Sequence, residues 1–234
     1  MRHIALLTAC VCFAVVARAQ SPTPTSFSIG PRISNYSTHF DAGPTLIDTS
    51  RQSGYGLVGD YRAGTFVLDW RYDHDPENGI SLSDIVLDTG NYEHNGGEAT
   101  IGFAVAPILD LQGGVRIDSI RVGGARLFGA TIFDDFDLDH QAIAAGIHLH
   151  SGDHNPIGWY ATARGYLGSA KFDRLGLRVT SDTTGYRGET GIRIRLAESN
   201  WYVVPGLEYE RFSTKNYEVD FRTNRVFLNF VYTR

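Results

Sequence analysis

Strict alternation of apolar and polar residues, in stretches of roughly ten residues, is the feature that most constrains this chain. A period of two puts every second side chain on the same face of an extended strand. Phe66, Leu68, Trp70 and Tyr72 share one face, with Val67, Asp69, Arg71 and Asp73 opposite. Trp159, Ala161, Ala163 and Leu167 stand against Tyr160, Thr162, Arg164 and Tyr166. The same pattern runs through 26–36, 54–62, 98–107, 111–122, 141–150, 184–196, 200–212 and 220–232. Helical periodicity is scarce, and 26 glycines, 12 tyrosines and 13 phenylalanines suit strands and turns. Ala63-Gly64 reads as a tight turn that sets Arg62 opposite Thr65, Tyr61 opposite Phe66 and Tyr55 opposite Tyr72.

Each of the ten segments has the length that a tilted strand needs to cross a bilayer. The connections near 63, 109, 153 and 198 are short. Those over 37–53, 74–97, 123–139, 170–183 and 213–219 are mostly longer and polar. Short turns on one side, long loops on the other and an even strand count define an antiparallel up-and-down transmembrane β-barrel. The expected fold is therefore all-β, with about ten strands and with eight or twelve as alternatives. A secreted soluble β-barrel or sandwich stays open, because alternation alone does not say which face is inside.

The N-terminus predicts export. Arg2 and His3 precede an apolar run, Ile4–Ala17, which ends at the small-x-small site Ala17-Arg18-Ala19. That run is too short for a membrane helix and has the layout of a cleavable signal peptide. The expected division is a signal peptide over 1–19, a short leader over 20–25 and a barrel domain over 26–234. Both cysteines, Cys10 and Cys12, fall in the signal, so disulfides and thiolate zinc are excluded for the remainder. No cofactor is expected. The whole chain carries 21 basic and 26 acidic residues. Without Arg2 and Arg18 the basic count is 21 − 2 = 19, a net charge of −7 that argues against a nucleic-acid partner. Lys171 and Lys215 are the only lysines. The arginine skew suits cations that are buried, paired and held by several hydrogen bonds.

The last ten residues, Arg225-Val-Phe-Leu-Asn-Phe-Val-Tyr-Thr-Arg234, carry alternating apolar side chains at Val226, Leu228, Phe230 and Tyr232. This segment resembles the C-terminal strand of bacterial outer-membrane β-barrel proteins, in the general style of the small OmpX and opacity-type barrels. Arg234 departs from that pattern, which usually ends in Phe. The resemblance implies a Gram-negative outer-membrane location, contact with outer-membrane lipid and recognition of the last strand by the barrel assembly machinery.

The polar faces define the candidate site. Asp69, Arg71, Arg116, Asp118, Arg164, Arg187, Glu189, Arg193, Glu208 and Glu210 are expected to line the lumen as an Arg–carboxylate network. An unpaired buried charge there would be costly. If Leu196 pairs with Trp201, Arg187 faces Glu210 and Glu189 faces Glu208, and a cation must bridge the two glutamates. Weaker candidates are Asp73 and His74 as a hydrolytic rim site, and His148 with His150 as a metal chelate. Aromatic residues near strand ends, including Trp70, Tyr72, Trp159, Tyr186, Trp201 and Tyr209, suit interfacial girdles. The leading expectation is a non-enzymatic structural or surface-interaction barrel with a filled lumen. A narrow porin-like channel and a rim-sited lipid or peptide hydrolase are the alternatives, and the sequence names no surface partner.

Overall fold

A computed structural model describes residues 25–42, 45–49, 52–82, 85–151, 156–174, 177–215 and 219–234. The expected signal peptide and nearly all of the leader lie outside the described residues. Thirteen strands are present: β1 (Ser26–Ala42), β2 (Thr45–Thr49), β3 (Gln52–Ala63), β4 (Phe66–Leu82), β5 (Ile85–Ala106), β6 (Leu109–Val122), β7 (Ala125–Leu127), β8 (Ala130–Phe133), β9 (Phe136–His150), β10 (Ile157–Arg174), β11 (Leu177–Arg195), β12 (Trp201–Thr214) and β13 (Val219–Thr233). Ten of them close into an antiparallel barrel, in the order β1-β3-β4-β5-β6-β9-β10-β11-β12-β13 and back to β1. Strands β2, β7 and β8 are short additions among the outer connections. Closure gives each of the ten barrel strands a partner on both sides. It is completed by Phe27 and Arg234, which exchange backbone hydrogen bonds of 2.9 Å, so the first and last strands end on the side of the tight turns.

The first hairpin differs in register from the sequence expectation. Ala63 pairs with Phe66, Tyr61 with Leu68 and Leu57 with Tyr72, while Tyr55 faces His74. The turn is Gly64-Thr65, because glycine supplies the positive φ of 63° at its first central position, as a type II′ turn demands. The shift is two residues, so every side chain keeps its expected face.

The strands are also longer than expected at the loop end. Strand β5 runs 22 residues, and β1 and β4 each run 17. The reason lies in where the apolar residues point. Near the tight turns the outward side chains are apolar: Leu111, Val115 and Ile117 on β6, Ile143 and Ile147 on β9, and Val226 and Phe230 on β13 are all exposed. This belt ends at one polar outward ring made of Asn35, Ser53, His74, Asn95, Ser119, Gln141, Ser169, Thr184, Arg211 and Asn224. Beyond the ring the polarity inverts. Outward positions such as Arg121 and Arg222 are charged, whereas Tyr36, Phe40, Tyr92, Ile120, Val122, Leu138, Phe212 and Phe221 are buried inside as one apolar cluster. Phe40 and Phe212 stack on Phe221 at 5.5 and 4.6 Å between ring centroids. The expected polar loops over 37–53, 74–97, 123–139 and 170–183 are therefore largely strand, because their inward residues have a core to fill.

Candidate functional site

Inside the belt the inward positions of the ten barrel strands converge on a narrow lumen, where charged side chains mix with neutral ones such as Thr100, Gln112 and Asn229 and with two small apolar groups, Ala142/Ala144/Tyr166 and Tyr202/Val204/Val231. Glu189 and Glu208 are direct cross-strand partners, as are Arg187 and Glu210. Facing carboxylates repel unless a cation lies between them. Two arginines supply it, one from β4 on the far wall and one from β1, two strands along from β12. Arg71 on β4 binds Glu189 at 3.0 Å and also reaches both oxygens of Glu208. Arg32 on β1 donates to Glu208 at 2.9 Å and lies 3.5 Å from Glu189. Arg187, the bridging cation nearest in sequence, turns instead to Glu98 at 2.8 and 2.9 Å. Asp73 accepts from Arg71 and lies 3.4 Å from Arg32.

The network continues toward both ends. On the turn side, Glu98 also takes Arg164 and the Tyr166 hydroxyl at 2.8 Å, while Arg164 and Gln112 both bind Asp69. Arg62 donates to the fully buried Asp110 at 2.8 Å, with His150 3.6 Å away. Arg193 donates to Thr233 at 2.7 Å and lies over the Tyr202 ring. A cavity of about 180 Å³ sits at this end, lined by Asp60, Arg62, Asp69, His148, Glu189 and Arg193 among others.

On the loop side, Arg225 grips Asp75 with two bonds of 2.9 and 2.8 Å. Arg116 grips Asp118 and also reaches Glu210 at 2.7 Å. His94 spans Asp75 and Asp118 at 2.9 and 3.1 Å, and His140 spans Asp118 and Thr183 at 2.9 and 3.0 Å. His94 lies beyond the belt, between the outward Glu93 and Asn95. Burial works against its protonation, but the hydrogen bonds that it donates to Asp118 and Asp75 outweigh burial and raise its pKa to about 9. Its ring is therefore charged at neutral pH and donates from both nitrogens.

Of the expected lumen residues, Asp69, Arg71, Arg116, Asp118, Arg164, Arg187, Glu189, Glu208 and Glu210 lie in this connected network, and Arg193 stands at its turn-side margin. Arg32, Asp75, Glu98, Asp110, His94, His140 and Arg225 belong to it as well. Glu98 and Arg225 carried the signal, each one residue from an exposed apolar partner face at Ala99 and Val226. Asp75 and His94 sat in a segment that read as a loop, and His140 fell between a loop and a strand.

The weaker candidates separate. Asp73 points inward and is 3% exposed, whereas His74 is on the outward face against Tyr55 and Asn95. His148 and His150 stack at 5.3 Å, with His148 bonded to Thr162. Among the described residues no group of three or more His, Cys, Asp or Glu is arranged to hold a metal ion.

An antiparallel barrel with an apolar outer belt and a charged interior is the fold of bacterial outer-membrane β-barrel proteins. One solved structure shares this fold. The outer membrane protease OmpT from Escherichia coli matches with a TM-score of 0.60 at 10% identity, over 93% of this chain and 99% of that one. The β domain of the Bordetella autotransporter BrkA gives a TM-score of 0.48 at 13% identity, covering 88% of this chain and 99% of that one. Neisserial surface protein A gives 0.42 at 14%, covering 90% and 99%. No protein-family model and no curated protein matches the sequence.

Proposed function

We propose that this chain is an exported outer-membrane barrel with a closed lumen, serving a structural or surface-interaction role through its loop end rather than catalysing a reaction. The observation that carries this reading is the double filling of the lumen. A paired Arg–carboxylate network occupies the belt, and the aromatic cluster around Phe40, Phe212 and Phe221 lies above it. A barrel of this strand number has little room left for water once such side chains fill it. The C-terminal alternation at Val226, Leu228, Phe230 and Tyr232 supports recognition by the assembly machinery, and the export signal supports a Gram-negative outer-membrane location.

The cavity beside Arg62 and Arg193 favours one competing reading, a narrow pore for small solutes. Conduction would need a path past the apolar cluster. Planar-bilayer recording on the purified protein separates the two. A closed barrel gives no steady single-channel current, and steady currents sink the closed reading. A rim hydrolase built on Asp73 and His74 would need side chains that share one face, and these two do not.

A further inference from the structure

The outer wall of β12 and β13 is graded in polarity, and the grading has the shape of a lipid. The two strands pair residue against residue, so their outward side chains form rungs. From the turn end, the rungs are Trp201/Tyr232, Val203/Phe230, Pro205/Leu228, Leu207/Val226, Tyr209/Asn224 and Arg211/Arg222. Four rungs are apolar or aromatic, the fifth combines a ring with an amide, and the sixth is a pair of guanidiniums.

Like charges directly opposite each other on a sheet are unfavourable. Here Asp220 holds them together. It accepts from Arg211 at 2.7 and 2.9 Å and from Arg222 at 2.9 and 3.2 Å, while Arg222 also reaches Asp41 at 3.2 Å. These bonds use Nε and Nη2 of each arginine. The side chains stay 43% and 45% exposed, just above the belt. Hydrogen bonds from both arginines outweigh partial burial and hold the Asp220 carboxyl below the usual carboxylate range.

A groove beside the fourth and fifth rungs is lined on the outer face by Asn35, Thr190, Leu207, Tyr209, Asn224 and Val226, and it also touches the inward-facing Thr162, Glu189, Glu208 and Arg225; it passes Gly188, where an added Cβ would meet nothing within 4 Å. Its lower side is apolar, its upper side offers amide and hydroxyl donors, and the arginine pair stands immediately above.

We propose that this wall binds one membrane lipid whose phosphate headgroup carries net negative charge. An acyl chain lies along Leu207 and Val226 past Gly188, and the headgroup phosphate is held by Arg211 and Arg222. Arginine suits phosphate because its planar fork donates two parallel bonds. Exposed arginines occur elsewhere beyond the belt, but Arg121 is matched by Glu93 and Asp137 and has no second arginine facing it.

Native mass spectrometry of the full-length folded protein in a zwitterionic detergent tests the proposal. The probes are dioleoyl phosphatidic acid, dioleoyl phosphatidylcholine and inorganic phosphate. The wild-type barrel retains phosphatidic acid about fivefold better than phosphatidylcholine, roughly the factor one surface arginine contributes toward an anionic lipid. That preference falls to near unity in the double variant R211Q/R222Q and persists in R121Q. Gly188→Phe, which fills the groove without touching the arginines, weakens retention of both lipids. Each variant is first shown to fold by heat-modifiable gel migration. If the double variant does not fold, R222Q alone carries the comparison, with about half the loss on a logarithmic scale. An unchanged preference in the arginine variants overturns the proposal. So does equal loss in R121Q, or inorganic phosphate displacing phosphatidic acid at equal concentration.

Discussion

The belt and the outer extension are made from the same ten strands, yet they solve opposite solvent problems. In the belt, Leu111, Val115 and Ile117 of β6 face outward and Gln112, Arg116 and Asp118 face inward. A few residues further along, Ser119 and Arg121 face outward and Ile120 and Val122 face inward. The backbone ladder runs through unchanged, pairing β6 with β9 from Leu109 to Val122. Hydrogen bonding therefore does not distinguish the regions. What differs is the medium outside, and the interior adopts whatever the exterior cannot use. In the belt, charges must pair because nothing else solvates them. In the extension, ordinary apolar burial serves.

The comparison breaks most readily in the belt. Arg71→Leu leaves Glu189 and Glu208 facing each other with Arg32 reaching both and Arg225 reaching Glu208, and should cost about 3–5 kcal/mol in urea unfolding of the folded barrel. In the extension, Leu138→Ala should cost about 2–5 kcal/mol, because Leu138 is fully buried in the apolar cluster. The two losses should differ in their response to salt and pH, which act on the belt variant and leave the extension variant unmoved.

The boundary between the regions is sharpened by moving one charge along one face. Val115→Arg should cost about 2–4 kcal/mol in lipid vesicles, whereas Ser119→Arg, two outward steps away, should cost about 0–1 kcal/mol. Similar costs at the two positions would remove the boundary from the polar ring.

The smallest effect concerns His94, where the regions meet. Its folded pKa of about 9 lies above the ordinary histidine value of 6.5. Its contribution to stability is thus fully present below pH 6.5 and is lost as the pH rises through 9. The urea midpoint should fall across that interval, and His94→Gln should flatten the fall. The other charges facing His94 are Asp75, Asp118, Arg116 and Arg225. Both carboxylates are held ionised by arginine, so histidine is the group that titrates in this window.

The belt was legible in the sequence because lipid imposes a rule on every second residue. The strand faces, the pairing of Arg187 with Glu210 and of Glu189 with Glu208, and nine of the lumen residues in the connected network follow from that rule and a short turn. Arg71 and Arg32 as the bridging cations did not follow. Arg71 reaches across the lumen from β4 and Arg32 comes from β1, beyond the intervening β13, and period-two reasoning gives no information about contacts between strands that are not paired. The extension was not legible because its apolar residues change parity. On β1 they move from Phe27, Ile29 and Ile33 to Tyr36 and Phe40, and on β4 register shifts between Asp75 and Asn78 and between Gly79 and Ser81 blur the period further. A change of parity reads as the end of a strand when only one face is being followed.

The inversion of polarity is tested most directly by single-cysteine labelling along β6. Cys10 and Cys12 are the two cysteines of the sequence, so both are replaced by serine and each introduced thiol reports alone. Thiols placed at 115, 117, 119, 120, 121 and 122 are exposed to a membrane-impermeant maleimide in intact vesicles. Labelling should be fast at 119 and 121 and absent at 115, 117, 120 and 122. Fast labelling at 120 and 122 would show water where the apolar cluster is placed, and would contradict the account.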